Sequence, residues 1–191
     1  MSDQHQQTFF GLRAAIKAES YTKALAIATE LAKELPDDED VIKCKCVCMV
    51  HLSRYEDALA VASNAGATLA FEGAYCLYQM NRLEECLVAI EKASTSASTN
   101  LKALKAQVLY RLNRASESAD VYQGLVDEDD GDGHEESLEG SELLSNTLAA
   151  YAAAGRGGEG YETLSSRTGE FLEEGADADE DDDEEEEQGS K

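Results

Sequence analysis

Tryptophan is absent from this 191-residue chain, and proline occurs once, at Pro36. So little proline leaves few points at which a helix must break, and the abundance of Ala, Leu and Glu favours helix along the whole length. Basic residues are scarce: 16 Lys and Arg stand against 40 Asp and Glu, a net charge of −24. That balance argues against grip on a phosphate backbone, which needs Lys and Arg to displace counterions. No apolar run approaches the ~20 residues needed to span a bilayer. The first residues, MSDQHQQTFF, lack the basic start and apolar stretch of a signal peptide. No CxxC pair occurs. The five cysteines (Cys44, Cys46, Cys48, Cys76, Cys86) are odd in number and lie in apolar, helix-like stretches, which predicts free thiols in a reducing, cytoplasmic setting.

What is abundant is acid, and it is unevenly placed. Twelve acids fall between Glu173 and Glu187 and nine between Asp127 and Glu142. Outside those two blocks acids and bases nearly balance. Such blocks repel themselves and cannot bury enough apolar surface to fold. The expected organisation is therefore a helical domain over 8–172, with a disordered acidic insertion at about 127–139, followed by a disordered acidic tail over 173–191.

The body repeats itself. The string LYQMNRLEECL (Leu77–Leu87) has near copies at Leu52–Ala58 and Tyr110–Ser118, and a weaker one at Glu19–Ala24. A small residue recurs at Ala24, Ala58, Cys86 and Ser118, with spacings of 34, 28 and 32 residues. Four positions earlier stands a turn residue (Ser20, Arg54, Arg82, Arg114), and Pro36 follows Ala24 by twelve. A helix–turn–helix unit repeating near 34 residues is the tetratricopeptide signature. The shortened second spacing predicts one clipped loop or helix.

Apolar periodicity places helices at Thr8–Ala18 and Tyr21–Leu35, with residues 1–7 read as a frayed end. Pro36 and the acids from Asp37 then open a third. Val41–Leu52 alternates enough to suggest a strand, but the repeat frame assigns it to a helix. Further helices are expected from Arg54, over Thr68–Met80, Leu83–Ala93, Leu101–Leu112, Ala115–Val126 and Ser141–Ala154, with a short last one over Glu159–Leu172. The fold class is thus all-α: an α-solenoid of about four to five tetratricopeptide-like helix pairs. Neighbouring pairs must stack to bury their apolar faces, and the first helix of each lines a concave surface suited to peptides. In the repeat frame the inward positions include Arg13, Lys43, Val47, His51, Phe71, Tyr75, Tyr78, Gln79, Gln107, Tyr110 and Arg111. Tyr and Arg are favoured at interface hot spots. The same aromatic residues also suit the core between repeats.

Catalytic and metal chemistry finds no support. Cys44, Cys46 and Cys48 cannot converge from one helix, because i and i+2 point apart. Cys48 and His51 share a helix with no third group to orient them. Gly155–Gly158 lacks the Lys-Ser/Thr of a phosphate loop and is read as a turn. The sequence therefore predicts no catalytic residues, no metal and no cofactor.

Phe71–Ala93, FEGAYCLYQMNRLEECLVAIEKA, followed by Leu101–Val126, LKALKAQVLYRLNRASESADVYQGLV, resembles the N-terminal tetratricopeptide domain of the seventy-two-kilodalton subunit family of the signal recognition particle. Asp37–Leu59 and Leu144–Gly155 are similar to the same family, so the resemblance covers roughly 8–165. It implies a non-enzymatic scaffold whose groove holds the C-terminal part of the sixty-eight-kilodalton partner subunit, within the particle that targets nascent secretory chains to the endoplasmic reticulum. The RNA contact of that family lies in a lysine-rich segment absent from this sequence, which implies contact with particle RNA only indirectly or through such a segment. A co-chaperone or adaptor that captures acidic C-terminal peptides, and an acidic chaperone for basic proteins acting through Asp177–Glu187, are the competing readings.

Overall fold

The computed structural model describes residues 3–93, 98–128 and 140–176. Among the described residues the secondary structure is helical, in five successive pairs: α1 (Asp3–Lys17) with α2 (Tyr21–Glu34), α3 (Glu39–His51) with α4 (Tyr55–Ala65), α5 (Ala70–Gln79) with α6 (Leu83–Ala93), α7 (Thr99–Arg111) with α8 (Ala115–Glu128), and α9 (Gly140–Ala153) with α10 (Gly157–Ala176). Each helix packs on the next, and α3 touches α5 as α5 touches α7. The first helices α3, α5 and α7 therefore lie side by side, as a stacked array requires. The core runs along the chain as abutting clusters joined by Leu59, Met80 and Val121.

One turn is used five times. The second residue after each first helix has positive φ: Glu19 (52°), Ser53 (57°), Asn81 (60°), Asn113 (61°) and Gly155 (72°). In each case its N–H bonds the carbonyl three residues back, and the next N–H bonds the one five back, as with Asn81 to Tyr78 and Arg82 to Leu77. This left-handed C-terminal motif satisfies the carbonyls left over by the helix and reverses the chain. Four of the five following residues are arginines, each clasping an acid three positions on: Arg54–Asp57, Arg82–Glu85, Arg114–Glu117 and Arg156–Glu159.

Five residues after the left-handed position comes the small residue. Ala24, Ala58, Cys86 and Ser118 are all fully buried. Ala58, Cys86 and Ser118 each face the residue twelve positions earlier on the first helix. The Ser118 hydroxyl donates to the Ala106 carbonyl at 2.8 Å, the Cys86 thiol to Ala74 at 3.1 Å and the Cys46 thiol to Ala58 at 3.6 Å. In the fifth pair Gly160 holds this place. A Cβ there would lie 3.2 Å from Tyr151 Cβ and 3.5 Å from Leu148 Cδ2. The run Gly155–Gly158 is thus the turn expected, and it is also the fifth instance of the repeat.

The stretch with strand-like alternation is helical for a local reason. The Asp38 side chain caps α3 by accepting from the Val41 N–H at 3.0 Å, and Glu39 and Asp40 complement the helix dipole in the first turn. Val41, Cys46, Cys48 and Met49 then form its buried side. The shortened repeat spacing is taken up by the helices themselves: α4 has 11 residues and α5 has 10, against 14 in α2 and 13 in α3, while the connection between them, the 3₁₀ turn Gly66–Leu69, keeps four residues. Gly73 lets α5 close on α4, since a Cβ there would sit 3.3 Å from Ala62 Cβ.

The ends differ from the expectation. The first helix begins at Asp3 rather than Thr8, and His5 Nε2 lies 2.8 Å from Glu34 Oε2 of α2. The last runs from Gly157 to Ala176, longer at both ends than Glu159–Leu172. Of the acidic insertion, Asp127 and Glu128 belong to α8. Residues 173–176 of the expected 173–191 tail belong to α10; the rest of the insertion and of the tail lies outside the described residues.

Candidate partner-binding face

The eleven expected groove residues fall on α1, α3, α5 and α7. Helical spacing groups them. Lys43, Val47 and His51 recur every four residues on α3, and Phe71, Tyr75 and Tyr78 occupy one side of α5. Gln107, Tyr110 and Arg111 do so on α7. Arg13, Lys43, His51, Gln79, Tyr110 and Arg111 are exposed, while Val47, Phe71, Tyr75, Tyr78 and Gln107 are half-buried. The half-buried aromatics also pack on the core cluster of the third and fourth pairs, so they serve the array and line its surface at once.

The structure joins some of these residues and separates others. Phe71 and Tyr75 stack at 6.0 Å between ring centroids. Arg111 crosses from α7 to lie 4.6 Å above the Tyr78 ring, and its guanidinium donates to Asn81 Oδ1 at 2.8 Å. These contacts tie the fourth pair to the turn of the third. Gln107 shares a hydrogen bond with the Tyr122 hydroxyl, which comes from the second helix α8. Burial, reinforced by Tyr78 and Glu142, pushes that phenol up to about 12. His51 is engaged elsewhere: its ring lies 3.9 Å from that of Tyr21, at 3° to it, on the start of α2. It belongs to the rim rather than to the cluster at Tyr75.

Sequence reading missed two neighbours of Arg13. Phe10 lies three residues before it and Lys17 four after, so all three share one side of α1. Phe10 is 77% exposed, the most exposed large apolar side chain described. The helical period around Arg13 was the available signal. All three lie inside the helix expected over Thr8–Ala18.

The thiols belong to the packing. Cys46 and Cys86 are fully buried, and burial pushes them up to about 12 and about 11, while burial and Glu72 raise Cys76 to about 11. Thiols held protonated are poor nucleophiles and poor ligands. Among the described residues no three His, Cys, Asp or Glu side chains are grouped to hold a metal ion, and no helix is long and apolar enough to cross a membrane.

Known proteins are similar in two respects. In sequence, the chain is 37% identical over 121 residues to signal recognition particle subunit SRP72 of Homo sapiens, and 26% identical over 162 residues to that of Dictyostelium discoideum. Those matches cover 61% and 84% of this chain but 18% and 23% of the relatives, so it spans about a fifth of their length. In structure, it superposes on a MamA double mutant with TM-score 0.71, covering 94% of this chain and 99% of that one, at 14% identity. A crystal structure of MamA protein gives 0.67, covering 86% of this chain and 90% of that one, at 9% identity. At such identities the likeness speaks to fold alone. A family model, SRP TPR-like, described as "Putative TPR-like repeat", matches residues 17–137, and with well over half of its length so matched the chain belongs to that family.

Proposed function

We propose that this chain is a non-enzymatic scaffold that holds a segment of the sixty-eight-kilodalton partner subunit against its concave face, within the cytosolic signal recognition particle that serves targeting to the endoplasmic reticulum. The observation that carries the reading is the lateral contact of α3 with α5 and of α5 with α7, which supports taking the side chains from Lys43 to Arg111 as one strip. Its relatives in sequence are SRP72 subunits, which supports the particle as the setting. A strip with half-buried aromatics at its centre and polar groups at its edges suits a peptide anchored by a few apolar side chains. In this reading particle RNA is reached through other subunits or segments.

The test is co-purification of the full chain with the C-terminal region of the partner subunit. A stable complex at micromolar concentration is expected. Tyr75→Ala combined with Tyr110→Ala should weaken it by more than about tenfold, the usual cost of removing central aromatic anchors. Circular dichroism should show unchanged helix content. Failure of the unmodified chain to retain the partner segment would remove the reading.

A further inference from the structure

The strip is not uniform in charge along its length. On the first helices α1 and α3, toward the N-terminal end of the array, stand Arg13, Lys17 and Lys43, all exposed. Among the described residues no carboxylate pairs with any of them. That is notable in a chain with 40 acids and only 16 bases. The turn arginines each clasp an acid, and Lys33 and Lys102 are bound to Glu30 and Glu128; Lys23, Lys45, Lys92 and Lys105 also lack an ion pair among the described residues, but Lys23 and Lys92 lie on second helices and Lys45 and Lys105 are half-buried. The acids of α3, Glu39 and Asp40, sit in its first turn, where they serve the helix dipole. Beside the cations Phe10 offers an exposed ring, and beyond them the strip turns aromatic at Tyr75 and Tyr110. Cations left unpaired on a protein rich in carboxylates mark where a carboxylate from elsewhere gains most, because complementary charge steers and orients a partner.

Resting on the proposed function, we infer that the occupant of the strip is a partner segment with an acidic stretch next to an apolar anchor. Its carboxylates lie over Arg13, Lys17 and Lys43, and its apolar side chains lie against α5 and α7. Orientation along the groove is then set by charge at one end and burial at the other. Recognition is by side-chain carboxylates within the segment, so a free C-terminus is not required.

The test uses full-length chain and fluorescent, C-terminally amidated synthetic peptides in which a run of Asp and Glu adjoins a run of Leu and Phe. Anisotropy titrations should show binding that weakens with salt, as screening of exposed charges requires. The triple variant Arg13→Glu, Lys17→Glu, Lys43→Glu should bind at least about tenfold more weakly and lose the salt dependence. Reversing Lys23, Lys33 and Lys92 on the second helices changes the net charge equally and should leave affinity within about twofold. A peptide with Lys in place of its acids should not bind. Equal binding of acidic and basic peptides, or equal loss from the two triple reversals, would overturn the inference. So would binding that appears only after the acids of 177–187 are changed to Asn and Gln, because the chain's own tail would then be the occupant. The probes contain no partner sequence, so failed co-purification counts against the proposed function and failed charge selectivity against this inference.

Discussion

At the scale of single residues, the crossing points within each pair decide how closely two helices approach. Cys86 has no exposed surface and its thiol meets the Ala74 carbonyl, so there is no room for a larger side chain. Cys86→Leu should cost about 1–3 kcal/mol by overpacking, read as a lower urea midpoint with an unchanged slope. The buried acids of weak type set an alkaline limit. Cys76 and Cys86 are raised to about 11 and Cys46 to about 12 from an ordinary 9.0, and Tyr122 to about 12 from 10.0. In the unfolded chain these groups ionise first, so unfolding releases their protons. Their contribution is complete below about pH 9 and is lost as pH climbs through 11 to 12. Melting temperature should therefore fall steeply above pH 9. Replacing Cys46, Cys76 and Cys86 by Ala should flatten that fall, and an unaltered slope would assign it to other groups.

At the scale of elements, the recurring unit is the turn rather than the helix. Its left-handed position is filled by Glu19, Ser53, Asn81, Asn113 and Gly155, and only the last is free of the Cβ penalty. Ser53→Gly should raise stability by up to about 1 kcal/mol, and Asn113→Ala should lower it by a similar amount. Opposite shifts in thermal midpoint are the expected signature. The repeat was legible here from the Arg and the small residue four positions later. Gly155–Gly160 carries the same signature, with Arg156, Glu159 and Gly160, but its four glycines resemble a loop when taken alone. Contacts across the array show what they are for: Arg156 reaches Asp120 at 2.6 Å, and Tyr151 and Thr163 both donate to Gln123 Oε1, docking the fifth pair on α8.

At the scale of the whole molecule, charge and architecture are coupled. Acids and bases nearly balance outside 127–142 and 173–187, so the net charge of −24 is self-repulsion concentrated in those two blocks. Raising salt from about 0.01 to about 0.5 M should increase the melting temperature, since the Debye length falls from about 30 Å to a few ångströms. Neutralising the acids of 177–187 should remove part of that gain, and a melting point that falls with salt would show that attractive pairs dominate instead.

The sequence by itself determined the class of fold, because helix–turn–helix units with periodic small residues have few other ways to bury their faces. It also proposed the strip of candidate residues, since the i, i+4 spacing on α3 and the period along α5 and α7 put them on common helix sides. It could not decide how those residues divide their roles. That Arg111 belongs to Tyr78 and Asn81, His51 to Tyr21 and Gln107 to Tyr122 depends on which helices meet and at what depth. Likewise Arg54, Arg82, Arg114 and Arg156 are satisfied by acids three positions on, while Arg13, Lys17 and Lys43 are left open to solvent. Local spacing chooses the face of a helix. Only the packing of one helix on another determines which charges on that face are already spoken for.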